Sequence, residues 1–174
     1  MKSCLIVMSI IMGMSGTAWA ETCIVKSAFS PYDKVETIID DYLRTAKTSL
    51  HGSLFGIANE KLTTTLVEKA KSGVDVVFGL DKMQAAGKYD RHKELEAVGA
   101  KVVIKPHVVL EHNKFVVIDA GIPNQELVIM GSWNWSEGAK KQDNSIVILS
   151  GCPIIIQSFE KAFARIIKRD IPKS

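Results

Sequence analysis

Residues 111–119 read Glu-His-Asn-Lys-Phe-Val-Val-Ile-Asp, and residues 126–137 read Glu-Leu-Val-Ile-Met-Gly-Ser-Trp-Asn-Trp-Ser-Glu. Each stretch contains a short apolar run, and such runs are typical of buried strands. Polar residues mark one end of each run, with His112 and Lys114 at the start of the first and Ser132 after the second. The two stretches therefore predict a pair of strands that carries polar side chains.

The residues before this pair alternate between helical and strand patterns. Apolar residues at spacings of three and four predict a helix over 32–47, and Asn59 is a good N-cap for a second helix that ends at Gly73. A third helix is predicted over 83–98, after a loose start. Strands are predicted between these helices, over 49–57, 74–80 and 101–105. This alternation is typical of parallel crossover units.

The residues after Pro106 are richer in short strands. These strands are predicted over 114–118, 127–130 and 145–149, and a helix over 154–167 closes the pattern. We expect an α/β fold with one mixed β-sheet sandwiched between helices. Because no linker divides residues 21–174, we expect them to form a single domain.

Residues 1–20 have the pattern of an export signal. Lys2 is followed by the apolar run Leu5–Met12 and by Ala18-Trp-Ala20, a small-x-small cleavage sequence. The apolar run is shorter than the roughly 20 residues that span a bilayer. We predict cleavage after Ala20, a periplasmic or secreted protein, and no stable membrane span after cleavage.

The chain without this segment keeps two cysteines, Cys23 and Cys152. An even pair in an exported protein predicts a disulfide, with two free thiols as the alternative. Of the 22 basic residues, removal of Lys2 leaves 21 against 19 acidic residues. This balance is too mild to indicate nucleic acid by itself.

The polar residues of the central stretch suit a phosphodiester substrate. In a strand, His112 and Lys114 share one face, while Asp119 lies on the other and is predicted to anchor backbone or a neighbouring loop. Glu111, opposite to His112, is predicted to be a surface residue. Zinc needs three or four His, Cys or carboxylate ligands, so we predict no metal and no cofactor. Lys114 offers a point charge, Asn134 a neutral donor and imidazole an attacking group.

The spacing of these residues resembles the signature of the phospholipase D superfamily. The matching pattern is His112-x-Lys114 with four residues before Asp119, then Gly131-Ser-x-Asn134. The resemblance covers nearly the whole mature chain and implies a phospholipase-D-like fold. It is strongest to the single-motif type found in exported bacterial endonucleases. Eleven residues separate Asp119 from Gly131, which is longer than usual and indicates a longer turn around residues 121–125.

The resemblance also implies a role for each matching residue. His112 would be the nucleophile that forms a covalent phosphohistidine, and Lys114 and Asn134 would hold the phosphate oxygens. Ser132 would position its neighbours or add a donor. An acid beyond the turn would orient the imidazole, with Asp143 as the first choice and Glu137 as the second.

Only one such motif is present, although the mechanism needs a second histidine for the leaving oxygen. We therefore expect a symmetric homodimer in which both copies contribute to one shared site. Trp133 and Trp135 are predicted to pack in the core or the dimer, with base stacking as the alternative.

The predicted activity is metal-independent cleavage of DNA, with RNA as a second candidate substrate. The small size and the lack of an apolar lipid-docking helix favour a nuclease. The alternatives are a lipid hydrolase of the phospholipase D type and an inactive homologue that binds nucleic acid.

Overall fold

A computed structural model of the protein describes residues 23–106 and 109–168. Its strands in chain order are β1 (Ile24–Ser30), β2 (Ser49–Leu54), β3 (Ile57–Ala58), β4 (Asp75–Asp81), β5 (Lys101–Lys105), β6 (Lys114–Ile118), β7 (Leu127–Gly131), β8 (Trp135–Ser136) and β9 (Asn144–Ser150). Seven of them form one sheet in the order β1-β9-β7-β6-β2-β4-β5, while β3 and β8 pair separately. β4 is parallel to β2 and β5, and the other neighbours are antiparallel. The predicted mixed sheet is confirmed.

Helices cover both faces of this sheet, as predicted. They are α1 (Val35–Thr45), α2 (Glu60–Lys71), α3 (Lys82–Ala85), α4 (His92–Glu96) and α5 (Pro153–Lys168), with a 3₁₀ helix at Glu137–Lys141. On one face, α1 buries Ile39 and Leu43, and α2 buries Leu66, against the larger core. On the other face, α5 buries Ile156 and Phe163 in a second apolar cluster.

The helix predicted over 83–98 is wrong as a single element, because the structure divides it into α3 and α4. The side chain of Asp81 accepts hydrogen bonds from Met83 N and Gln84 N and so begins α3. Asp90 accepts a hydrogen bond from His92 N at 3.0 Å just where α4 begins. The two carboxylates compete with a continuous helix, because each satisfies the free N–H groups of a new helix start.

The N-cap predicted at Asn59 is confirmed, since its side chain accepts a hydrogen bond from Leu62 N at 3.0 Å. The predicted pairing of Cys23 with Cys152 is confirmed as well. Their Cα atoms are 4.7 Å apart, and the bond joins the residue before β1 to the residue before α5. The predicted signal at residues 1–20 lies outside the described residues. No helix within 23–106 and 109–168 has the length and apolar character to cross a bilayer.

Candidate active site

The motif residues gather where the central strands of the sheet begin or end, along one border of the sheet that we call the site edge. Leu54 at the end of β2 pairs with Lys114 at the start of β6. Gly131 at the end of β7 pairs with Ile146 near the start of β9. Because neighbouring strands run in opposite directions here, two strand ends and two strand starts meet at one edge. The site edge therefore carries His112, Lys114, Ser132, Asn134 and Asp143.

The side chains of His112 and Lys114 both lie against the ring of Phe55, the residue after β2. The imidazole meets this ring edge-on, with centroids 4.8 Å apart. Lys114 Nζ lies 5.1 Å from the ring centroid and donates a hydrogen bond to the His112 carbonyl at 2.7 Å. The predicted juxtaposition of His112 and Lys114 is therefore present. Phe55, which was predicted to lie inside a strand, instead follows β2 and contacts both side chains.

Lys114 is half-buried, and its surroundings affect its protonation. Loss of water around the ammonium lowers the pKa of Lys114, while the nearby charge of Glu111 raises it. Burial has the larger effect, so the pKa lies below its ordinary value. Lys114 is thus a cation with reduced hydration, which strengthens its attraction for a phosphate oxygen.

The prediction that Glu111 lies on the surface is wrong. Its side chain is 2% exposed and accepts hydrogen bonds from Ser53 Oγ at 2.7 Å and Asn113 Nδ2 at 2.6 Å. β6 begins only at Lys114, so the alternation of strand faces does not extend back to residue 111. Glu111 instead fixes the backbone that presents His112.

The turn after β7 depends on the small size of Gly131. A Cβ at Gly131 would lie 2.1 Å from the backbone oxygen of Ser145, so β7 and β9 approach too closely for any side chain. Ser132 Oγ accepts a hydrogen bond from Ser145 N at 3.0 Å and ties the turn to β9. Within the described residues, Asn134 Oδ1 is buried without a hydrogen-bond partner. As an amide oxygen, this atom can only accept a hydrogen bond, so contact with a phosphate oxygen would have to come from the Nδ2 group of Asn134.

The two tryptophans of the turn belong to the core. Trp133 is 1% exposed and Trp135 is 3% exposed, and Trp135 packs beside Phe78 with ring centroids 6.0 Å apart. The alternative of base stacking by these rings is therefore wrong. Their packing in the core fixes the position of the turn.

Asp119 anchors the backbone at the far edge of the sheet, as predicted. Its carboxylate accepts hydrogen bonds from the backbone N–H groups of Lys47, Thr48 and Ser49 and from the Thr48 hydroxyl. Burial alone would raise the pKa of Asp119, but these hydrogen bonds outweigh it and the pKa lies below its ordinary value. Its φ of 51° also lets it end β6 in a left-handed turn.

The two acids proposed as partners of His112 lie in different surroundings. Asp143 is exposed and directly precedes β9 at the site edge. Glu137 pairs with Lys140 and accepts a hydrogen bond from Glu60 N at 3.2 Å. The structure thus directs Glu137 toward α2 and does not bring it together with His112. Asp143 remains the predicted partner of the His112 imidazole.

Comparison with known families agrees with this geometry. The family profile described as "Cardiolipin synthase, PLD-like domain" matches residues 39–167, which is well over half of the chain. The chain belongs to the phospholipase D superfamily. The matched range, residues 39–167, includes every residue of the site edge named above.

Curated relatives of this superfamily chain carry lipid-related names. The chain is 28% identical to the phospholipase D of Rickettsia bellii over 125 residues, covering 72% of this chain and 60% of that protein. It is 28% identical to a mitochondrial cardiolipin hydrolase of Chlamydomonas reinhardtii over 126 residues, covering 72% and 54%. The chain therefore spans little more than half the length of these relatives.

Solved structures confirm the phospholipase-D-like fold. Nuc from Salmonella typhimurium, a phospholipase D family member, superposes with a TM-score of 0.75 at 20% identity, covering 87% of this chain and all of Nuc. NucT from Helicobacter pylori superposes with a TM-score of 0.71 at 13% identity, covering 84% and 97%.

Proposed function

We propose that this chain is a phosphodiesterase that cleaves DNA without a metal ion, with RNA as a second candidate substrate. The observation that supports this most is the contact of His112 and Lys114 with one ring, Phe55, at the site edge. An imidazole beside a half-buried cation is suited to attack a phosphodiester, because the cation offsets charge on the nonbridging oxygens.

The proposed reaction has two steps. A ring nitrogen of His112 attacks phosphorus, and the bond to the leaving oxygen breaks. Water then attacks the phosphohistidine and releases His112. Lys114 and Asn134 hold the nonbridging oxygens, and Ser132 fixes the turn that carries Asn134. Asp143 orients the His112 imidazole, and Asp119 supports the fold without touching the reacting atoms.

The leaving oxygen needs a proton, which we assign to His112 of the partner subunit in a symmetric homodimer; in the second step the same imidazole takes a proton from the attacking water. Other histidines in the described part of the chain are occupied: His51 bonds Glu160 and Asp75, and His92 bonds Asp90. Val109 and Leu110, just before His112, are about half exposed and suit an apolar contact between two copies.

Lipid hydrolysis is the second candidate, because relatives at 28% identity are named phospholipase D and mitochondrial cardiolipin hydrolase. We favour nucleic acid because the resemblance is strongest to single-motif endonucleases. A periplasmic or secreted location completes the proposal. The disulfide between Cys23 and Cys152 supports it, since such bonds persist in oxidising compartments.

The deciding experiment assays the purified protein with plasmid DNA, RNA and phosphatidyl lipid in parallel, each in excess EDTA. We expect DNA cleavage that EDTA does not affect. His112→Ala and Lys114→Ala should each abolish turnover, and their circular dichroism spectra should match the wild type. Lys101→Ala is the matched control, since Lys101 is an exposed strand-end lysine at the opposite edge of the sheet.

Four results would contradict parts of the proposal. DNA cleavage that appears only when a metal is restored would reject the metal-free mechanism. Hydrolysis of lipid alone would select the second candidate, and binding of DNA without cleavage would indicate an inactive homologue. An active preparation that sediments as a monomer would reject the shared site.

A further inference from the structure

A cleft of about 300 Å³ opens beside Asn134, between the β2–β3 connection and the segment that joins α3 to α4. Besides the buried Trp135, its lining includes two aromatic rings, three amide side chains and one lysine. These residues are Phe55, Tyr89, Gln84, Asn134, Gln142 and Lys88. Phe55 also contacts His112 and Lys114, so the cleft adjoins the proposed phosphate site.

Tyr89 is the most exposed aromatic residue of this cleft, at 75%. The backbone on its C-terminal side is nevertheless anchored, since Arg91 N donates to the Ile57 carbonyl at 2.8 Å. Asp90 accepts a hydrogen bond from Ile57 N at 3.3 Å. Lys88 Nζ lies 5.5 Å from the Tyr89 ring centroid. An apolar ring held in water on an anchored segment is a feature of binding surfaces.

The polar groups around the ring are mostly neutral. Gln84 and Gln142 each carry both a donor and an acceptor, so they can pair with the edges of any base. Asp90 lines the cleft, but its carboxylate is taken up by Ile57 N and by His92. Glu137, in the adjoining hollow, is paired with Lys140. A single cation, a ring and amides together fit a nucleotide better than a charged headgroup.

We infer that this cleft is a base-binding subsite, in which the base next to the scissile phosphate stacks on Tyr89. Lys88 then contacts the adjoining phosphate. This rests on the proposed function and names its substrate class more closely. A base in a duplex is already stacked and paired, so it must be unstacked before it can enter the cleft. The chain is therefore expected to prefer single-stranded over double-stranded nucleic acid, with little preference among bases.

The test compares two single strands of equal length, one of thymidine nucleotides and one of tetrahydrofuran abasic units. Tyr89→Ala should lower kcat/KM on the thymidine strand about 5- to 150-fold, the range expected for loss of one stacked base. The loss on the abasic strand should be at least fivefold smaller. Tyr89→Phe keeps the ring and should resemble the wild type, whereas Tyr89→Leu keeps only apolar area and should resemble Tyr89→Ala.

Lys88 is tested with a matched lysine. Lys88→Ala should weaken cleavage of both strands, and more so at low salt, because a phosphate contact depends on charge. Lys71→Ala removes an exposed lysine at the C-terminal end of α2, away from the site edge, and should change neither rate.

The outcomes separate this inference from the proposed function. Equal losses on the two strands for Tyr89→Ala, or no loss, would overturn the base subsite while cleavage itself still stands. Full activity of Tyr89→Leu would overturn stacking, and faster cleavage of duplex than of single strands would overturn the stated preference. A wild type that cleaves neither strand but hydrolyses phosphatidyl lipid would overturn the nucleic-acid function itself.

Discussion

Replacement of Asp119 separates structural support from chemistry within the motif. The carboxylate is 1% exposed and accepts hydrogen bonds from three successive backbone N–H groups and from the Thr48 hydroxyl. Oδ1 accepts from all four donors, whereas Oδ2 accepts only from Lys47 N. Asp119→Asn can therefore keep most of the hydrogen bonds and lose the charge, while Asp119→Ala loses both.

The magnitude follows from the exposure of the donors. A buried donor left without a partner costs about 1–3 kcal/mol, but Lys47 and Thr48 are exposed enough for water to replace the carboxylate. We expect Asp119→Ala to lower the free energy of unfolding by about 2–4 kcal/mol, with an added cost because Ala is strained at a φ of 51°. Asp119→Asn should lower it by about 1–2 kcal/mol. For a domain of this size, the larger loss lowers Tm by roughly 4–16 °C.

The pH dependence has a definite sign. Because the pKa of Asp119 is lower in the folded state, its charge stabilises the fold above the unfolded pKa of about 3.9. This stability is lost as the pH falls through the folded pKa. The difference in unfolding free energy between wild type and Asp119→Asn should therefore shrink below about pH 4.

The assay is urea unfolding at several pH values with the disulfide intact, followed by the specific activity of the folded variants at neutral pH. Asp119→Asn should be less stable yet retain most of its turnover, unlike His112→Ala. An Asp119→Asn protein that unfolds like the wild type but is inactive would refute the anchoring role.

Three further predictions concern other parts of the fold. Replacing both Cys23 and Cys152 with serine should lower the free energy of unfolding by about 2–5 kcal/mol, measured by the urea midpoint, because the bond spans 129 residues; an unchanged midpoint would contradict this. Gly131→Ala should cost about 1–3 kcal/mol and most of the activity, since its Cβ would overlap a β9 carbonyl; normal activity would show that the turn adapts. For His51, burial lowers the pKa, but the hydrogen bond and charge of Glu160 outweigh it, so the pKa is raised. The resulting stability is present below about pH 6.5 and lost as the pH rises through the folded pKa, and His51→Gln should abolish this slope in pH-dependent unfolding.

Strong local signals made much of the fold predictable from the sequence. β5 and β6 have the bounds predicted for them, because each is a β-branched run that ends at a proline or at polar residues. The motif residues could also be assigned to one site, since their strands end at one edge. Asp119 was predicted as an anchor from the alternation of side chains along the preceding strand alone.

Other parts depend on contacts that a sequence pattern does not contain. β1 is an edge strand in which only Ala28 and Ser30 are buried, so its alternation is too faint to detect. The division between α3 and α4 depends on the bonds of Asp90 to Ile57 N and His92 N. The burial of Glu111 depends on Ser53, which is 58 residues away in the chain. In each case a tertiary contact outweighs the local pattern.

The long interval between Asp119 and Gly131 is explained by the direction of the β6–β7 hairpin. Its turn lies at the edge opposite to the site, where Gly121 N donates to Glu126 Oε2 at 2.8 Å and Asn124 takes a φ of 63°. The register at the other end is set by strand pairing, with Phe115 opposite Met130. Because residues added to the turn leave that register unchanged, they do not move the residues of the site edge. The spacing within the motif therefore reports the length of a distant turn, and the site geometry depends on the strand pairs.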